Sequence, residues 1–209
     1  MSSFENLSAS EAEAPTIVIA PGCLTSAVGL ARLSRRLTDA GFAVAVMPLD
    51  ATSLEADSAA LLALLAPIKG PKILVGHGYG GMLISNAGCV DRDTQALVFV
   101  AALAPEVGES IDDLIADVPA AAVGGDLGAR FAGDPAWKHL PTWFVYGEAD
   151  AAIPPTFHAW MAARAGAVAT TIVPAAGHDL IAEQPVEVLR VIRQAIDATI
   201  VQVPNPDAD

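Results

Sequence analysis

Short apolar runs alternate with amphipathic helical segments along nearly the whole chain, and this alternation restricts the fold more than any other feature. The runs are Thr16–Ala20, Phe42–Met47, Lys72–Val75, Ala96–Ala102, Thr142–Tyr146 and Ala169–Val173. Pro or Gly closes or precedes most of them: Pro21-Gly22, Pro48, Gly70-Pro71, Pro141 and Pro174. Between them lie helical patterns. Leu30, Leu33 and Leu37 share one face, with Gly41 as a stop signal. Thr52-Ser53-Leu54-Glu55 has the form of a capping box, followed by Leu54, Leu61, Leu62 and Leu65. A last helix starts near Pro185 and turns Val188, Leu189, Ile192 and Ile196 inward. Ala96–Ala102 is apolar almost throughout, as a central strand covered on both sides must be. The pattern predicts an α/β protein with a mostly parallel sheet of about six strands and helices on both faces.

Size and charge narrow the function classes. A chain of 209 residues fits one core, assigned to 15–200, with flexible segments at 1–14 and 201–209. The net charge is −13 and there is no basic stripe, which argues against a nucleic-acid or anionic-membrane partner. No apolar run reaches the roughly 18 residues of a membrane span. Met1–Ala14 is polar and lacks the apolar region of a secretory signal. Two cysteines, Cys23 and Cys89, do not make a disulfide framework, so a cytoplasmic protein with free thiols is expected.

The chemistry-bearing motif is the turn Val75-Gly76-His77-Gly78-Tyr79-Gly80-Gly81 after the third run. It has the spacing and strand-to-helix context of a Gly-x-Ser-x-Gly nucleophile elbow, but glycine stands at the central position, Gly78. A glycine-rich phosphate loop would instead follow the first strand and carry an acid about 20 residues later. Downstream come Asp150, directly after the fifth run, and His178, on the loop after the sixth. With these motifs in this order, the chain resembles a compact, esterase- or lipase-like α/β-hydrolase from about Pro15 to about Ile196. The family's leading antiparallel hairpin has no counterpart here, so a trimmed sheet is expected.

The resemblance implies His178 as base, Asp150 as the acid that orients it (Glu148 as second choice), and Gly78 at the nucleophile position. It further implies an oxyanion hole from the backbone N–H groups of Cys23 or Leu24 and of Tyr79. Cys23 could replace the serine as a thiol nucleophile, or be a small buried cysteine, the preferred reading. His77, His139 and His158 show no metal-ligand spacing, and neither metal nor cofactor is expected. The irregular stretch 106–140, with a short helix expected over Ile111–Ala116, is either an ordinary helix with loose flanks or a small lid anchored by Phe131 and Trp137.

Three functions remain open at this level. The chain could be a nucleophile-deleted serine hydrolase with weak or absent ester hydrolysis. It could be a natural serine-less enzyme using His178 and Asp150 as a general base, in lyase, cyclase or oxygenase-like chemistry or in water activation. It could also be a non-catalytic binder of a small apolar or ester-like ligand.

Overall fold

The structure, a computed structural model, describes residues 14–110, 131 and 133–200. Its strands are β1 (Thr16–Ala20), β2 (Val44–Val46), β3 (Lys72–His77), β4 (Thr94–Val100), β5 (Thr142–Gly147) and β6 (Ala169–Val173). Its helices are α1 (Ala27–Asp39), α2 (Leu54–Leu65), α3 (Gly80–Val90), α4 (Pro155–Arg164), α5 (Leu180–Glu183) and α6 (Pro185–Ile200). A 3-10 turn spans Ala136–Lys138. The strands form one six-stranded sheet in the order β2-β1-β3-β4-β5-β6, with every described pairing parallel.

The two-residue period of the strands divides the core. Ile17, Ile19, Ile73, Val75, Val98 and Val145 face α1, α5 and α6. Val18, Leu74, Leu97, Phe99 and Phe144 face α2, α3 and α4. This double coverage is why β3 and β4 read as near-continuous apolar runs rather than alternating ones. β2 is shorter than expected: Val44–Val46 pairs with Ile17–Ile19, and Phe42 lies outside the ladder. The helix cap also differs from the expected box. Ser53, not Thr52, is the N-cap of α2, and its hydroxyl accepts from the Ala56 N–H at 3.1 Å. That register puts Glu55 one position too early to reach back to the cap.

The expected short helix at 111–116 lies outside the described residues. Its flanks do not. The Gly108 N–H donates to the Phe131 carbonyl at 2.7 Å and the Phe131 N–H to the Glu109 carbonyl at 2.8 Å. Arg164 reinforces this neck with a bidentate grip on Glu109 and a bond to the Ala104 carbonyl. Phe131 and Trp137 are both buried, and the Trp137 indole N–H donates to the Pro105 carbonyl at 2.8 Å. Among the described residues, no helix is long and apolar enough to cross a membrane.

Candidate active site

The site forms at the carboxyl ends of β1, β3, β5 and β6, where open parallel sheets gather their loops. β3 ends at His77 and α3 begins at Gly80, so only Gly78 and Tyr79 make the turn. Gly78 has φ +55, a conformation that L side chains seldom adopt. Backbone bonds fix it there: its N–H points at the Val100 and Ala101 carbonyls, and its carbonyl accepts from Leu103 at 3.0 Å. A Cβ built on Gly78 would lie 3.2 Å from His178 Nε2 and 3.9 Å from the Gly22 Cα. Position 78 therefore faces the His178 ring and the Gly22 turn together.

His178 sits on the β6–α5 loop, and its Nδ1 lies 2.9 Å from Asp150 Oδ2. A neutral ring that gives Nδ1–H to this carboxylate keeps its lone pair on Nε2, the nitrogen facing residue 78. Asp150, just past β5, has a fully buried side chain. Besides His178 it accepts the Ala152 and Ile153 N–H groups, each at 2.9 Å, and His158 Nε2–H at 3.1 Å. Burial alone would raise its carboxyl, but the bonds from His158 and His178 outweigh it and hold Asp150 well below the usual carboxylate range. Glu148 turns away and meets the Ala175 N–H instead.

On the opposite side, Gly22 packs directly on the elbow. A Cβ there would fall 2.6 Å from the His77 carbonyl oxygen and 2.9 Å from the Tyr79 nitrogen. Among the described residues, the Cys23, Leu24 and Tyr79 backbone N–H groups have no backbone carbonyl acceptor, and the Cys23 N–H interacts with its own thiol. Unsatisfied N–H groups beside a sharp turn are what a developing oxyanion needs. The Tyr79 hydroxyl donates to the buried Asp57 at 3.0 Å, which fixes the residue after the elbow. Cys23 is exposed, not buried as its small size suggested. Desolvation, together with the negative Asp57, raises its thiol pKa, opposite to what a thiolate nucleophile requires. An open groove of about 590 Å³ runs beside the turn, between Pro21–Cys23 and the Leu30, Met47 and Leu49 side.

Two histidines that spacing had assigned no partner belong to this assembly. His158 is fully buried, stacks on Tyr146 at 4.8 Å, and supplies the second imidazole on Asp150. His77 is fully buried as well, between Thr25 Oγ1 at 2.6 Å and the His178 carbonyl at 2.9 Å. Periodicity could have shown only that His77 ends a buried strand. Its partners are 52 and 101 residues away.

These buried rings set the acid stability. Burial, and then the nearby His178, depress His77 to about 4; Asp150 pulls the other way and His158 adds to the depression. An unfolded histidine titrates near 6.5, so below that pH the unfolded chain binds a proton that the folded chain refuses. The contribution of His77 is present above about pH 6.5 and is lost as pH falls toward 4. His77 alone should remove about 2 kcal/mol between pH 7 and 5, and His158, also depressed by burial, acts in the same direction. A urea midpoint that stays constant over that interval would contradict this.

The fold and site together define an α/β-hydrolase fold: a parallel sheet, a strand–elbow–helix turn, and an Asp–His pair in that chain order. The model of the alpha/beta hydrolase family matches residues 113–191, a span that includes both Asp150 and His178. No curated protein sequence matches the chain significantly. Among solved structures, it resembles polyneuridine aldehyde esterase at 18% identity and TM-score 0.70, over 89% of this chain and 99% of that one. A methylesterase from Arabidopsis aligns at 15% identity and TM-score 0.72, over 88% and 99%. A pyrethroid hydrolase from Sphingobium faniae aligns at 15% and 0.67, over 88% and 98%. The chain is thus an α/β-hydrolase-fold protein whose structural neighbours include esterases.

Proposed function

We propose that the chain carries an esterase-type site that lacks its covalent step, with the His178–Asp150 pair as general base acting on a small apolar or ester-like ligand. The observation that carries this reading is the direction of position 78. Its missing Cβ points at His178 Nε2, 3.2 Å away, while Asp150 holds the other ring nitrogen. With glycine there, no acyl-enzyme forms. What remains is a base, N–H donors at Cys23, Leu24 and Tyr79, and binding. That residue of the apparatus supports roughly 10³–10⁴-fold acceleration over water in triad enzymes.

Ester hydrolysis by this chain is therefore weak or absent. Activated esters should show negligible turnover, and serine-directed phosphonates should not label the protein. Rapid, phosphonate-sensitive hydrolysis would overturn the reading. The same pair can take a proton from an acidic substrate carbon or hydroxyl, with the turn N–H groups stabilising the oxyanion formed. The Leu24 and Tyr79 N–H groups, which have no backbone acceptor among the described residues, favour this second use, since a purely binding site has no need of spare donors near a base. A screen of small carbonyl compounds for His178-dependent proton exchange with deuterated solvent tests it. Exchange that survives His178→Ala counts against it.

A further inference from the structure

We propose that His77 is a positioning residue that locks the His178 loop and, through Thr25, the oxyanion turn into one register. The inference rests on the proposed base role of His178. Three chain segments meet at the His77 ring. Its Nε2 lies 2.9 Å from the His178 backbone oxygen, which can only accept, so Nε2 must carry the hydrogen. Nδ1 is then an acceptor, and the Thr25 hydroxyl, 2.6 Å away, must be its donor. The same hydroxyl oxygen accepts the Gly22 N–H at 2.8 Å. A directed chain of bonds thus runs from the Gly22 N–H to Thr25, then His77, then the carbonyl of His178.

Every link has its polarity fixed, and the ring is wholly excluded from solvent, so it has no second arrangement within reach. The segments it joins are those that must agree for chemistry to occur. Gly22 belongs to the turn that packs on the Tyr79 nitrogen, and His178 presents Nε2 to position 78. The His77 and His178 rings also touch, with centroids 5.0 Å apart. His77 contacts no reacting atom in this scheme. It acts through the His178 main chain and through Thr25.

Two experiments separate this role from ordinary core packing. In nitrogen-15 imidazole spectra of the unaltered chain, His77 should hold a single Nε2–H tautomer from pH 5 to 8. A mixed or Nδ1–H tautomer sinks the proposal. In the Gly78→Ser background, Thr25→Val should lower ester kcat about 10- to 100-fold with KM within about twofold, as expected for misplaced catalytic groups. Thr25→Ser, which keeps the hydroxyl, should restore kcat. His77→Gln, which can still reach the His178 carbonyl, should retain more activity than His77→Leu. If Thr25→Val folds and keeps full kcat, the proposal fails. If Gly78→Ser itself is inert, the esterase-type reading of the site fails, and the His77 tautomer still decides the lock: a single Nε2–H form upholds it and any other form overturns it.

Discussion

Gly78→Ser should give the chain an ester-hydrolase activity at least about 10³-fold above its present rate, since loss of a serine nucleophile costs up to roughly 10⁶ in kcat in a complete triad. Asp150 lies against Nδ1 of His178, and Nε2 of the same ring faces position 78. Two costs temper the gain. Serine at φ +55 takes a strained backbone, worth about 1–3 kcal/mol. Its Cβ would also sit 3.2 Å from Nε2, so the imidazole must yield by a few tenths of an ångström. The variant should thus melt lower than the parent while hydrolysing p-nitrophenyl acetate and accepting a phosphonate label. Adding His178→Ala should return the rate to the parent level. A well-folded serine variant with no hydrolysis and no label would show that the base and the elbow do not cooperate.

Gly80→Ala should abolish stable folding, at a cost above about 4 kcal/mol, the range reserved for large steric or network defects. A Cβ at Gly80 would overlap the backbone carbonyl of Ala20, the last residue of β1, and press on the Pro21 carbonyl at 3.1 Å. Neither carbonyl belongs to a flexible side chain. Ala20 is in register with Gly76 in the β1–β3 ladder, so relief means opening the sheet or moving the elbow. Gly41→Ala is the informative control. Nothing lies within 4 Å of its Cβ position, and only its φ of +92 resists, for about 1–3 kcal/mol. Equal urea midpoints for the two variants would show that the close approach of α3 to β1 is not what fixes the turn.

The sheet, the helices α1, α2 and α6, and the chain order of Asp150 and His178 were readable because each leaves a local trace, whereas α4 (Pro155–Arg164) was not read from the sequence. Strands leave apolar runs, turns leave Pro and Gly, and Asp150 and His178 follow strand ends. The elbow was readable because its glycines cluster in one strand-to-helix turn, although the contacts that force Gly80 and Gly81 come from Ala20 and Leu103, far along the chain. His77 and His158 left no such trace. Their partners are Thr25, the His178 carbonyl and Asp150, and a lone buried histidine has no periodicity that announces a distant acceptor. The exposure of Cys23 was missed because composition ranks cysteine as a core residue, whereas here it rides on a two-residue turn at the mouth of the site. The Ser53 cap was shifted by one position because both Thr52 and Ser53 are competent caps and only the helix register selects between them.

The φ of +55 at Gly78 also bears on how this chain can change with time. Serine, cysteine and aspartate all serve as covalent nucleophiles in enzymes, and each is a small side chain that one substitution at position 78 would supply. All three would face a His178 ring that Asp150 already holds, at the cost of backbone strain and a small shift of that ring. One residue therefore separates this molecule from three distinct covalent chemistries. The stability margin of the surrounding fold, rather than any further rearrangement of the site, sets how readily it can move between them.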